Sequence, residues 1–88
     1  MFATPALASH CQPRERWVEF LKDEYGEQPV AFALTNEGGV LEKFSAPDGK
    51  TWTLLVTSPD GTSCGIAAGE GNWQEATPKL LKEMGQPI

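Results

Sequence analysis

Between residues 13 and 25 the apolar positions recur at helical spacing. Trp17, Val18, Leu21 and Tyr25 share one face with Phe20 at its margin, while Arg14, Glu15, Glu19, Lys22 and Asp23 fill the remainder. Pro13 suits the first helical position, Gly26 suits a left-handed C-terminal residue, and Pro29 blocks any continuation. The pattern predicts a helix over 13–25.

From residue 29 the period shortens to alternation. Runs at 30–35, 40–45, 51–57 and 62–68 are separated by Asn36-Glu37-Gly38-Gly39, Pro47-Asp48-Gly49-Lys50 and Pro59-Asp60-Gly61. In the two Pro-Asp-Gly turns, Pro pre-sets φ, Asp can bond nearby backbone N–H groups, and Gly takes the positive φ that closes a short hairpin. A calcium-loop reading of their twelve-residue echo fails, because each turn offers only one Asp. Four strands joined by three tight turns predict an up-and-down antiparallel meander. On 51–57, Trp52, Leu54 and Val56 share one parity, opposite three threonines and Leu55. The large apolar set is expected to face the helix, with Trp17, Leu21 and Tyr25 packing on Trp52, Leu54, Val56 and Ile66. The predicted fold class is α+β, an N-terminal helix on a four-stranded meander. A short C-terminal helix over 79–84 would either dock through Leu80, Leu81 and Met84 or fray.

Eighty-eight residues make a single small domain. Its expected limits are 11–74, preceded by a flexible start at 1–10 and followed by a tail or short helix at 75–88. Seven Lys plus Arg against twelve Asp plus Glu give a net charge of -5, which argues against nucleic acid and anionic membrane surfaces as partners. No apolar run approaches the ~20 residues of a transmembrane helix, so a soluble chain is expected. Ala6-Leu7-Ala8 has the small-x-small pattern of a signal-peptidase site, without the basic and apolar regions of a complete signal. A signal-peptide remnant and a plain Ala-rich start both remain open. Cys11 and Cys64 form an even pair in a small chain, and a disulfide between them is expected. It would tie the start of the helix to one edge of the sheet, with Cys64 on the helix side by its parity with Ile66.

Candidate chemistry is sparse. His10 is the single imidazole and neighbours a cysteine assigned to a bridge, so no nucleophile–base pair is specified. Asp48 and Asp60 fall on turns at opposite ends of a meander, and Glu42 is expected on the open sheet face. His10, Cys11 and Cys64 lack a fourth ligand and zinc-finger spacing, so no metal or other cofactor is expected. Gly69-Glu70-Gly71-Asn72 lacks the Lys-Ser/Thr of a phosphate loop. The candidate recognition surface is the open sheet face, Thr35, Thr51, Thr53 and Leu55, joined by Trp73, a residue type enriched at binding hot spots.

Cys11, Glu24-Tyr25-Gly26-Glu27-Gln28-Pro29-Val30, Thr51-Trp52-Thr53-Leu54, Pro59-Asp60-Gly61-Thr62-Ser63-Cys64 and Ala67-Ala68-Gly69-Glu70 together resemble small exported bacterial proteins of unknown function. The resemblance covers about residues 11–73. It implies a signal peptide before the first Cys and carries no activity with it. The expected function is a non-catalytic binding module, periplasmic or secreted, a monomer or weak dimer that meets an unknown protein partner. The alternative is an accessory structural protein assembling through its sheet edges, and an enzyme is the least favoured class.

Overall fold

The structure is a computed structural model that describes residues 10–74, 77–83 and 85. Strand β1 (Cys11–Pro13) runs directly into helix α1 (Arg14–Tyr25), followed by β2 (Gln28–Leu34), β3 (Val40–Ser45), β4 (Thr51–Thr57), β5 (Thr62–Glu70) and a short helix α2 (Pro78–Glu83). All described strands form one antiparallel sheet in the order β1-β5-β4-β3-β2. The α+β class and the four-strand meander follow the sequence pattern. The fifth strand, β1, does not. Three residues carry no legible alternation, and they pair with β5 in a register that sets Cys11 directly against Cys64. The disulfide closes there, with S–S at 2.04 Å. The Ala6-Leu7-Ala8 pattern, with both of its readings, and the docking or fraying of Leu80, Leu81 and Met84 lie outside the described residues and side chains.

Pro13 ends β1 and caps α1 with an extended backbone, φ -55° and ψ 143°, so the helix begins at Arg14 rather than one residue earlier. At its other end Gly26 adopts φ 66°, its N–H donates to the Lys22 carbonyl, and the Glu27 N–H reaches back to the Leu21 carbonyl. This paired closure satisfies the last helical carbonyls and turns the chain into β2. Because β1 and β2 lie at opposite edges, α1 must cross the sheet between them.

The three hairpin turns share one construction. Gly38, Gly49 and Gly61 each donate to a carbonyl three residues back, from Thr35, Ala46 and Ser58. Asp48 and Asp60 accept from the N–H groups of Lys50 and Thr62, two residues on. The sequence reading of these turns therefore holds at the level of individual atoms.

The face assignment of the sheet is reversed. Trp17 and Leu21 of α1 pack with Phe44 and Leu55 in a fully buried cluster, flanked by Val18 and Tyr25. Phe44 stands opposite Thr53, Glu42 opposite Leu55, and Val40 opposite Thr57. The helix side of β4 is thus Thr53, Leu55 and Thr57, while Trp52, Leu54 and Val56 point to the other side. The turn sets this register: the Ala46 N–H donates to the Thr51 carbonyl, which leaves Phe44 no partner but Thr53. Ser63 meets two polar groups on the buried side, its hydroxyl bonding that of Thr57 and its carbonyl accepting from Trp17 Nε1 at 3.0 Å. Cys64 pairs with Val56, so the disulfide lies on the far side from α1 rather than beneath it. Ile66, expected in the core, sits at a register shift between Leu54 and Leu55 and is exposed.

Candidate functional site

The sequence-predicted recognition surface does not assemble. Thr53 and Leu55 are fully buried beneath α1. Thr51 lies on the same side, half-buried. Thr35 is occupied within its turn, where its hydroxyl accepts from the Gly39 N–H at 2.9 Å. Trp73 lies on the opposite side of the sheet, its ring edge-on to Trp52 with centroids 5.1 Å apart. Lys43 Nζ sits 3.9 Å from the centre of the Trp73 ring, a cation–π contact. The loop carrying Trp73 is held by the Gly71 N–H on the Lys50 carbonyl. Gly69 makes room for the Trp52 ring, from which a Cβ there would lie 2.6 Å. Trp73 remains 51% exposed and is both a partial cover for Trp52 and an accessible apolar surface.

Among the described residues the most exposed apolar surface is β2, which the sequence pattern does not single out. Every residue of β2 is exposed, and Val30, Phe32 and Leu34 stand at 57%, 71% and 77% of full exposure. Phe32 pairs with Glu42 and Leu34 with Val40, so both project on the side that α1 covers further along the sheet. The helix leaves these two uncovered. The strand is also a sheet edge. Its hydrogen-bonding direction follows from the turn: the Thr35 N–H donates to the Gly39 carbonyl, so Thr35, and Ala33 two residues back, face β3. Phe32 and Leu34 accordingly present their own N–H and C=O outward. Exported and cytosolic proteins alike guard such edges with charges, yet 28–34 reads Gln-Pro-Val-Ala-Phe-Ala-Leu without one. The signal in the sequence is a large apolar residue at every second position, a pattern that is the same for a strand meeting a helix and for one meeting water.

Two carboxylates lie on the buried side. Glu42, expected on the open face, is 8% exposed and receives a two-point contact from Arg14, Nε to Oε1 at 2.7 Å and Nη2 to Oε2 at 2.8 Å. This pairing raises the Arg14 pKa, through the hydrogen bond first and against a smaller opposing effect of burial. Glu27, the residue after the helix-ending glycine, is 1% exposed, and neither carboxylate oxygen makes a well-formed hydrogen bond. Burial pushes its pKa up, while the hydroxyls of Thr51 and Thr53 act more weakly in the other direction. Thr51 also lines an open cleft of about 430 Å³ with Tyr25, Pro47, Glu24, Asp48 and Lys50. These charges are of mixed sign, and Glu27 is not on the cleft wall. His10 stands edge-on to Trp17 at 5.6 Å, and its carbonyl accepts from the Gly65 N–H. Among the described residues no three His, Cys, Asp or Glu side chains cluster as a metal site would require.

No protein-family model, curated protein or solved structure matches this chain. The disulfide is compatible with an exported protein, and among the described residues no helix is long and apolar enough to cross a membrane.

Proposed function

We propose that this chain is a non-catalytic interaction module, periplasmic or secreted, that recognises a protein partner through the open edge of β2. The observation that carries this reading is an uncharged seven-residue edge strand with Val30, Phe32 and Leu34 all largely exposed. An edge of this kind offers main-chain hydrogen bonds for affinity and alternate side chains for specificity, the two components of recognition by strand addition. The Cys11–Cys64 bridge supports an oxidising compartment, where such bonds persist. Trp73 is a second contact surface on the far side of the sheet. An accessory structural role is favoured by the same edge when the incoming strand belongs to a like chain.

The test is capture from an extract of exported proteins by the immobilised oxidised chain, compared with Phe32→Lys and Trp73→Ala. Phe32→Lys should abolish capture while leaving the melting transition nearly unchanged, because its side chain is mostly in water. Capture that survives Phe32→Lys would sink the reading of β2 as the recognition edge. Loss confined to Trp73→Ala would move recognition to the other side of the sheet.

A further inference from the structure

Resting on that reading of β2, we infer that the strand it receives is β2 of a second copy of this chain, paired antiparallel about a two-fold axis at Ala33. The outward groups limit the register and the bulge at Val30 selects within it, because an axis at Phe32 would set Leu34 against Val30, where the pairing with β3 shifts. Phe32 and Leu34 present N–H and C=O to the edge, whereas Ala33 turns its own toward β3. An antiparallel neighbour must set outward residues against outward residues. With the axis at Ala33, Phe32 meets Leu34 of the second copy and Leu34 meets its Phe32. Both are hydrogen-bonded pairs, and both sets of unpaired main-chain groups are satisfied at once. The edge is complementary to itself.

The side chains agree with this pairing. Residues opposite one another in a ladder project to the same side, so the two Phe32 and two Leu34 side chains form one cluster on the helix side. That cluster extends the buried surface begun by Phe44 and Leu55 and removes from water the two most exposed apolar side chains of β2. Charge permits it despite a net -5 on each copy. Pairing about Ala33 sets Glu37 against Pro29 of the other chain, and no carboxylate faces another along the strand. Pro29, which lacks an N–H, falls opposite the turn rather than within the shared ladder. A single edge strand buries an area at the small end of specific interfaces, so the dimer should be concentration-dependent rather than permanent. The product is one continuous sheet of two copies, with both helices on the same side.

The experiment combines mass in solution with a register-specific cross-link in the full chain. Sedimentation over a concentration series should show the mass doubling as concentration rises, and Phe32→Lys should stay monomeric with its melting transition unchanged. Independently, Ala33→Cys should form a disulfide-linked dimer under mild oxidation, because Ala33 meets its own copy in a non-hydrogen-bonded pair, where side chains are closest. Ala31→Cys should not, since two such residues would be about 13 Å apart along the ladder. A wild-type chain that remains monomeric at its highest soluble concentration overturns the self-pairing. So does a dimer that persists in Phe32→Lys, or one in which Ala31→Cys links as readily as Ala33→Cys. A monomer whose capture of another protein is still lost with Phe32→Lys would refute the second copy and leave the recognition edge standing.

Discussion

Phe44 on β3 stands directly opposite Thr53 on β4, and both side chains are completely buried beneath α1. A hydroxyl is therefore shut into the core beside an aromatic ring, while the larger Leu54 next to it points the other way. The consequence for stability concerns Leu55 and Leu54, adjacent leucines on opposite sides of the sheet. Leu55→Ala removes a side chain in contact with the Trp17, Leu21 and Phe44 cluster and should cost ~2–5 kcal/mol. Leu54→Ala empties a half-buried position and should cost under half as much. Urea denaturation of the two variants checks this. Equal losses would mean that both sides of β4 are packed to the same depth.

Local structure was legible from the chain because each piece depends on neighbours in sequence. The Pro-Asp-Gly turns, the stop at Gly26 and the helical stripe of Trp17 and Leu21 all took shape as the residue pattern implied. The side of the sheet that α1 covers was not legible by hydrophobicity. Both sides of β4 carry large apolar groups, since Trp73 lies over Trp52 as Trp17 and Leu21 lie near Leu55. Threonine gave no contrast: on the buried side the Thr57 hydroxyl finds Ser63, while that of Thr53 is shut in without a well-formed hydrogen bond. Phe44 held the better clue, because a four-residue turn links its parity to that of Thr53. The exposed edge was hidden by the same ambiguity: alternation in 30–34 looks alike whether Phe32 and Leu34 meet a helix or water.

Reduction should weaken the fold strongly. Cys11 and Cys64 are separated by 53 residues, and a loop of that size is worth roughly 4 kcal/mol in the chain-entropy account. In a domain of this length that corresponds to well over ten degrees of melting temperature, of the order of 20 °C. The bridge holds β1, so hydrogen exchange on reduction should rise first at the Gly65 and Arg14 amides, which bond to His10 and Gly61. Calorimetry with and without reductant tests the size, and exchange tests the place. Two titratable thiols in the oxidised, folded chain would contradict the bridge.

Arg14 occupies the first turn of α1, where a cation is disfavoured by the helix dipole, so its presence there calls for a local reason. The two-point contact with Glu42 supplies it. Arg14→Ala leaves a carboxylate with little access to water and no partner, and should cost about 1–3 kcal/mol. Replacing both residues by leucine should recover most of that loss, because neither a buried charge nor a cavity then remains. A double-mutant cycle measured by denaturation should give a coupling of about 1 kcal/mol or more. Arg14→Lys should rescue only in part, as an ammonium cannot reproduce the planar fork. A coupling near zero would show that the pair is solvated in solution.

Glu27 should make stability depend on pH in the opposite sense to an ordinary paired carboxylate. Burial raises its pKa above the usual 4.5, and the hydroxyls of Thr51 and Thr53 only partly offset this. Between the unfolded and folded values the native chain holds a proton that the unfolded chain has released. Stability from this group therefore falls as pH rises from 4.5 through the folded pKa, and is constant beyond it. Every other ionisable group is common to the variant and the wild type, so the informative quantity is a difference. Glu27→Gln keeps the shape of the side chain and removes its ionisation. The variant should be more stable than the wild type at neutral pH, and the advantage should shrink steadily on acidification until it vanishes below 4.5. Denaturation midpoints of the two chains across that range give the curve directly. A difference that does not change with pH would mean that Glu27 reaches water or a partner in solution and titrates as it does in the unfolded chain.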